Sequence, residues 1–265
     1  MDTLQAIILS IIEGLTEFLP ISSTGHMIIA SSIMGINNND FVTLFEVAVQ
    51  LGAILAVVVL YWQKFFDFSK WQFYIKLIVA VIPALILGAI FSKKIDELLK
   101  SPTVVGVSLL VGGIILLFVD KLFKRPLVTE EKNISYKRGF IIGIWQCLAM
   151  LPGTSRSAAS IIGGMSQRLD RRTAAEFSFF LAVPTMVAAT AHKLLESYKA
   201  NPFILKDKHN LALLGLGNVV AFMVAMLAIK FFIGYLQKHG FRIFGWYRII
   251  VGIALLALIM EGYLK

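Results

Sequence analysis

The stretch EGLTEFLPISSTGH, residues 13–26, interrupts an apolar segment with two carboxylates, a proline, several hydroxyls and a histidine. A second interruption, LPGTSRSAAS at residues 151–160, adds an arginine and further hydroxyls. A charge at the centre of a membrane helix costs about 2.5–3.5 kcal/mol on insertion scales, so such residues mark a functional site by default. Proline also disfavours helix at the residue before it. The two stretches therefore predict two helices that are broken within a membrane and share one polar site that handles phosphate.

The composition indicates a membrane protein with several spans. Apolar residues make up 58% of the 265 residues, and the mean hydropathy is +0.80. A full span needs about 20 mostly apolar residues. Six segments meet this length, at about 41–62, 73–91, 104–123, 173–195, 209–236 and 242–263. The fold class is therefore predicted to be an all-α polytopic membrane protein.

Two further regions, 3–36 and 137–166, are apolar at both ends and broken in the middle by Pro20 and by Pro152-Gly153. Each predicts a re-entrant pair of half-helices joined by a polar tip, which is tolerated at membrane depth where protein or water surrounds the break. The order is a broken pair and three spans, repeated once.

This order predicts a single membrane domain, 1–265, built from repeat one at about 1–123 and repeat two at about 137–265. Because three spans carry the chain across the membrane before the second broken pair, the second repeat is expected to be inverted. The run Pro20-Ile21-Ser22-Ser23 answers Pro152-Gly153-Thr154-Ser155.

Basic residues predict the orientation and exclude nucleic acid as the partner. The net charge is +9, but the Lys and Arg residues cluster in short loops between apolar segments. They are densest in loops 63–72, 124–138, 167–172 and 237–242. The positive-inside rule makes this face cytoplasmic, so both termini are expected to face outward.

The first motif offers carboxylates, hydroxyls and an imidazole. Glu13 and Glu17 share one helical face, where two carboxylates can hold a divalent cation or serve as acid and base. Ser22, Ser23 and Thr24 lie where a new helix starts, so they are candidate N-caps as well as ligands of a phosphate. His26 follows Ser23 by three residues, the spacing that lets an imidazole approach a serine nucleophile.

The second motif has the composition of an oxyanion cradle. Gly153 would let the backbone approach a ligand, and Thr154, Ser155, Ser157 and Ser160 offer hydroxyls. The planar fork of Arg156 matches two phosphate oxygens, and a helix N-terminus presents free N–H groups to an anion. The alternative is that Arg156 pairs with a carboxylate such as Glu17.

With these two motifs the chain resembles the bacterial undecaprenyl-pyrophosphate phosphatase family, which is associated with bacitracin resistance. The first run fits the family's (E/Q)xxxE motif and the serine and histidine after it, and the second fits its PGxSRSxxT motif. Ser160 stands where that motif has threonine, which keeps the hydroxyl. The resemblance covers essentially the whole chain.

The resemblance implies hydrolysis of undecaprenyl pyrophosphate to the monophosphate carrier of cell-wall synthesis, with a divalent cation such as Mg²⁺ or Ca²⁺ and an outward-facing site in the inner membrane. Under this hypothesis Ser23 attacks phosphorus with His26 as base, Arg156 and the nearby hydroxyls hold the phosphoryl oxygens, and Glu17 and Glu13 place the cation. A metal-activated water is the competing nucleophile. A polyprenyl-phosphate flippase with the same repeat is the alternative function, and a homodimer is an open alternative for the assembly.

Overall fold

The computed structural model describes residues 1–37, 39–99 and 101–262, without the side chains of Lys70, Lys93, Asp96 and Leu99. The last three residues of the predicted second repeat therefore lie outside the described residues. The helices are α1 Thr3–Thr16, α2 Ser23–Ile33, α3 Asp40–Ala48, α4 Gln50–Leu60, α5 Trp62–Phe65, α6 Trp71–Leu99, α7 Pro102–Leu122, α8 Tyr136–Gln146, α9 Arg156–Ser166, α10 Arg171–Ala200, α11 Lys208–His239 and α12 Arg242–Met260.

The prediction of six spans is confirmed. Within the described ranges, six helical stretches are long and apolar enough to cross a membrane, and large apolar side chains are exposed along them. Six such helices with apolar outer surfaces are typical of a bundle surrounded by lipid, so the chain is a multi-pass membrane protein. Helices α6, α10 and α11 continue past the predicted apolar ends, and Pro83 and Pro184 lie inside α6 and α10 without ending them.

The first span is interrupted in the middle, which the sequence analysis did not predict. Helix α3 ends before Val49 and α4 begins after it. Close packing against α11 accompanies the break, because a Cβ at Gly52 would lie 2.1 Å from the Asn218 carbonyl oxygen. The Gly52 N–H also donates to the Asn218 side chain at 2.7 Å. The contact fixes the position of α11, against which α1 packs.

Both broken helix pairs are confirmed. We call residues 17–22, between α1 and α2, tip 1, and residues 147–155, between α8 and α9, tip 2. The residue before each second half-helix is a serine with positive φ, 71° at Ser22 and 73° at Ser155. A non-glycine residue held there costs about 1–3 kcal/mol, and such strain gathers at functional sites.

The distance from the proline to the capping serine differs by one residue between the two tips, which corrects the alignment drawn from the sequence. Ser22 caps α2 two residues after Pro20, whereas Ser155 caps α9 three residues after Pro152. The cap Ser155 therefore corresponds to Ser22 and not to Ser23. Consequently Ser23 and Arg156 occupy the same place in their pairs, the first residue of the second half-helix.

Several helices of each half pack chiefly against helices of the other half. Helix α1 packs chiefly against α11 in the second half, and α8 packs chiefly against α6 in the first. Helices α7 and α12, the last of each half, pack against each other. A two-fold relation between the predicted repeats would give this pairing, and the inverted repeat itself stays a prediction.

An aromatic core lies directly behind the tips. Phe18 of tip 1 is fully buried, and its ring meets Phe179 of α10 edge-on at 5.1 Å. The Arg156 guanidinium lies 5.9 Å from the Phe18 ring centroid. The same ring thus supports tip 1 and the first residue of α9.

Candidate active site

A single carboxylate joins the two broken helix pairs. Glu17, the first residue of tip 1, accepts a hydrogen bond from the Ser23 hydroxyl at 2.5 Å on Oε2. Its other oxygen, Oε1, accepts from Arg156 Nη2 at 2.9 Å. Because all three side chains are largely buried, these charge-assisted hydrogen bonds are stronger than they would be in water. The structure thus brings together three of the predicted site residues from both motifs.

The start of α2 places Ser23 and leaves backbone donors beside it. The Ser22 hydroxyl accepts from the Gly25 N–H at 3.3 Å, so this side chain is the N-cap. Ser23 and the partly exposed Thr24 follow as the first two helical residues. Their N–H groups have no partner within the helix, which makes the α2 N-terminus suited to an anion.

His26 does not contact Ser23 as the sequence spacing suggested. Its Nδ1 lies 2.7 Å from the Ser22 carbonyl oxygen, and its Nε2 lies 2.8 Å from the Tyr247 hydroxyl. A carbonyl accepts only, so Nδ1 carries a proton; Nε2 accepts from the Tyr247 hydroxyl when the ring is neutral and donates to it when the ring is protonated. The ring also stacks on Tyr247 with an interplanar angle of 7°. The hydrogen-bond acceptor of Ser23 is therefore Glu17, and the contact between His26 and Ser23 that the spacing predicted is absent.

Arg156 lies at the first position of α9 with part of its donor capacity unused. Its Nη1 donates to the carbonyl oxygen of Ser178 at 2.9 Å and lies 3.4 Å from the Ser178 hydroxyl. Its Nε is buried and has no hydrogen-bond partner among the described residues. The expected alternative, pairing with Glu17, is present. It leaves Nε and one Nη2 hydrogen for a ligand.

Two serines of the second motif support Arg156 and do not line the site. Ser157 and Ser160 are fully buried. The Ser157 hydroxyl donates to the Phe18 carbonyl oxygen at 2.7 Å and so ties α9 to tip 1. The Ser160 hydroxyl donates to the Arg156 carbonyl oxygen at 2.8 Å and lies 2.6 Å from that of Ser178. Helical geometry turns both side chains inward, which corrects their expected role as phosphate ligands.

Tip 2 approaches another helix where a ligand contact was expected. Gly153 has φ +86°, and a Cβ there would lie 2.6 Å from the Val105 carbonyl oxygen of α7. The absence of a side chain at Gly153 therefore permits tip 2 to pack against α7. Ser155 caps α9 by accepting from the Ala158 N–H at 3.2 Å. Thr154 is partly exposed and directly precedes the cap of α9, and Thr24 is partly exposed in the first turn of α2.

Glu13 is the best candidate for holding a cation together with Glu17. It lies one turn before Glu17, is fully buried, and neither carboxylate oxygen has a hydrogen-bond partner among the described residues. An unpartnered buried carboxylate is costly unless a cation or a proton balances it. Among the described residues, no group of three or more His, Cys, Asp or Glu side chains is placed to hold a metal ion. Two carboxylates fit an ion such as Mg²⁺, which usually takes its other ligands from water and substrate phosphates.

An apolar groove opens beside the site. It has a volume of about 500 Å³ and runs between α1, α11 and α12. Leu15, Ile21, Phe231 and Tyr247 are among its lining residues. Tyr247 belongs to both features, because its hydroxyl reaches His26 while its ring lines the groove.

Three residues of the site were missed in the sequence. Ser178 and Tyr247 gave no signal, because one serine or tyrosine in an apolar span is ordinary. Arg248 is fully buried in α12, and its charge within an apolar segment was a signal in the sequence. A charge in the middle of an apolar span marks a functional position by default.

The fold and the site together define an integral membrane protein with a buried polar site formed where two broken helix pairs meet. The family model described as Bacitracin resistance protein BacA matches residues 6–254, and the chain belongs to this family. It is 60% identical to the undecaprenyl-diphosphatase of Flavobacterium psychrophilum, with 97% of this chain and 95% of the relative covered. It is 50% identical to the undecaprenyl-diphosphatase of Bdellovibrio bacteriovorus, with 99% and 98% covered.

Proposed function

We propose that the chain is an undecaprenyl-pyrophosphate phosphatase that releases inorganic phosphate and returns undecaprenyl phosphate for cell-wall synthesis, and that it confers bacitracin resistance. The observation that carries this proposal is Glu17, held between the Ser23 hydroxyl and the Arg156 guanidinium. In this proposal Ser23 is the nucleophile, Glu17 is its base, and the Arg156 guanidinium binds the phosphate oxygens. Family membership and the names of its relatives support the lipid substrate.

In the proposed reaction Ser23 is the nucleophile and Glu17 its base. As the Ser23 oxygen bonds to the terminal phosphorus, its proton passes to the Glu17 oxygen 2.5 Å away. The bond from that phosphorus to the bridging oxygen breaks, and undecaprenyl phosphate leaves. Glu17 passes this proton to the departing phosphate and is again a carboxylate. Water then attacks the phosphoserine and gives a proton to Glu17, which returns it to the Ser23 oxygen as the bond from Ser23 to phosphorus breaks and inorganic phosphate leaves.

The charge that develops on the phosphoryl oxygens is stabilised from both pairs. Arg156 offers Nε and its remaining Nη2 hydrogen, and the N-termini of α2 and α9 offer backbone N–H groups. His26, protonated, would donate to a phosphate oxygen in place of its contact with Tyr247. Its proposed role is therefore that of a donor.

We propose that Glu13 and Glu17 hold the cation. When bound, a divalent ion supplies positive charge that neutralises the pyrophosphate. Glu13 is suited to this role, since its oxygens are free of other partners among the described residues.

The apolar groove is proposed to seat the polyprenyl chain. It is open toward the lipid, because Leu15 and Phe231 are 48% and 65% exposed. Tyr247 links it to His26, so a chain lying in the groove would lead its pyrophosphate to the start of α2. The proposed location is the bacterial inner membrane, with the active site facing the outer side and both termini outside.

A flippase is the second candidate, because the exchange of helix partners between the halves also suits a transporter. A transporter has no need of a nucleophile beside a base. Release of phosphate by purified protein in detergent, where no transport is possible, would support the enzyme. If folded, purified protein released no phosphate, the flippase would be favoured.

Removal of divalent cations is expected to abolish phosphate release. With EDTA the rate should fall by about 100-fold or more, because the pyrophosphate charge is no longer neutralised. Mg²⁺ or Ca²⁺ added in excess should restore the rate. EGTA, which spares Mg²⁺, separates the two ions. Full activity after dialysis against EDTA would contradict a cation held by Glu13 and Glu17.

Filling the groove is expected to impair use of the long lipid. Leu15→Trp should raise the KM for undecaprenyl pyrophosphate about tenfold through lost apolar contact. Hydrolysis of a short-chain prenyl pyrophosphate should change much less. Ile8→Trp is the matched control, because Ile8 lies on the same face of α1 two turns earlier and is also exposed. An equal effect of both variants on both substrates would contradict the groove as the seat of the chain.

A further inference from the structure

Arg248 is a fully buried guanidinium that the proposed reaction does not use. It lies in the apolar helix α12 and is the largest of the fully buried side chains. Among the residues that the structure describes, no carboxylate pairs with it. A buried cation without a counter-ion is costly unless hydrogen bonds satisfy it fully, so its partners indicate its purpose.

All of the donors of Arg248 are directed to backbone carbonyl oxygens. Nη1 donates to Pro20 of tip 1 at 3.2 Å and to Thr154 of tip 2 at 2.9 Å. Nη2 donates to Gly153 of tip 2 and to Ser108 of α7, both at 2.9 Å. Nε donates to Leu109 of α7 at 3.3 Å. Arginine has five N–H donors, so none is left for a phosphate.

The neighbouring helix is shaped to admit this side chain. A Cβ at Gly112 of α7 would lie 2.1 Å from Arg248 Nη2. Glycine at this position therefore leaves the space that the guanidinium occupies between α7 and the tips. The arrangement fixes both tips to one rigid group.

The three tip carbonyls that Arg248 binds lie just before the residues that meet on Glu17. Pro20 precedes Ser23 by three residues, and Thr154 precedes Arg156 by two. In a planar trans peptide the N–H points away from its C=O. Holding the Thr154 carbonyl therefore directs the Ser155 N–H away from Arg248. The separation of the two tips in turn sets the separation of Ser23 and Arg156.

We infer that Arg248 is the positioning residue that holds tip 1 and tip 2 in register, so that Ser23 and Arg156 meet on Glu17. This inference rests on the proposed function for its effect on rate. The inferred role of Arg248 is to hold the geometry of the site, because its own hydrogen bonds go to backbone carbonyl oxygens and not to the reacting residues' side chains.

The first test is the kinetics of Arg248→Lys, which keeps the charge and loses the planar fork. The kcat should fall about 100-fold, as a misplacement of about 1 Å at a reacting centre can cost that much. The KM should stay within about threefold of the wild-type value. A kcat within about twofold of the wild type, or a loss confined to the KM, would overturn the inference.

A double-mutant cycle separates positioning of the tips from general support of the fold. The Ser157 hydroxyl is a second tie between the two halves of the site, through the Phe18 carbonyl. Combining Arg248→Lys with Ser157→Ala should lower kcat about threefold beyond the product of the single effects, because each tie backs up the other. A double variant whose loss of kcat equals the product of the two single losses would overturn the inference.

The matched control for the cycle is Arg171→Lys. Arg171 pairs with Asp120 at 2.7 Å, and Asp120 also accepts from the Phe241 N–H at the start of α12. This contact supports the same helix away from the tips. Its effect on kcat should simply multiply with that of Arg248→Lys.

A distance measurement, which does not depend on enzyme activity, tests the role of Arg248 separately from the proposed function. Spin labels at Leu15→Cys, just before tip 1, and Leu151→Cys, in tip 2, are placed in a Cys147→Ser background. The Arg248→Lys change should broaden the distance distribution between the labels, and an unchanged distribution would overturn the inference. If the wild type released no phosphate, the proposed function would fail while this measurement still tested Arg248.

Discussion

Glu17→Gln is expected to lower phosphate release from undecaprenyl pyrophosphate by about 1,000-fold, within the range that general-base catalysis contributes. Glutamine has nearly the same shape, so the fold should be kept. It cannot accept the Ser23 proton, and it carries no charge to orient Arg156 or hold a cation. The measurement is inorganic phosphate released per mole of purified protein, with the melting temperature as the check on folding.

Glu196→Gln is the matched control for this prediction. Glu196 pairs with Lys193 at 2.9 Å on α10 and is about half exposed, so it carries the same chemical change in an ion pair away from the tips. An exposed pair contributes about 0–1 kcal/mol, so the control should keep wild-type activity. Equal activity of both variants would show that Glu17 is neither base nor ligand.

Ser23→Ala is expected to abolish turnover and covalent labelling together. Removing the nucleophile should reduce phosphate release by about 10⁴-fold or more, because nucleophile and base act as one unit. With the wild type, quenching during turnover of substrate labelled in the terminal phosphate should leave label on Ser23. Mass spectrometry of the quenched protein locates the phosphate.

Ser32→Ala serves as the control on the same helix, since Ser32 is partly exposed and remote from Glu17 in the sequence. This variant should retain full activity and full labelling. Near wild-type hydrolysis by Ser23→Ala would rule out the serine route and leave a metal-activated water as the nucleophile.

The sequence was sufficient for the spans, the two broken pairs and the meeting of Glu17 with the second motif. These features follow from length, apolar runs and proline, which act locally. The exact register of the tips did not follow, because Ser155 and not Thr154 takes the cap. One additional residue in a loop leaves no trace in hydropathy.

The roles of individual hydroxyls were harder to predict than the location of the site. Ser157 and Ser23 stand in similar runs, but Ser157 turns inward to the Phe18 carbonyl and Ser23 turns to Glu17. Likewise His26 reaches Tyr247, which is 221 residues away in the chain. Such choices depend on packing between helices, and a single sequence holds no record of which helices pack together.

The most direct test of the central claim is phosphate release from undecaprenyl pyrophosphate by the purified wild type, with and without EDTA, beside Glu17→Gln. We expect release that depends on the cation and is lost in the variant. No release by folded wild-type protein with Mg²⁺ or Ca²⁺ present, or release untouched by the Glu17 change, would contradict a phosphatase whose site joins both tips at Glu17.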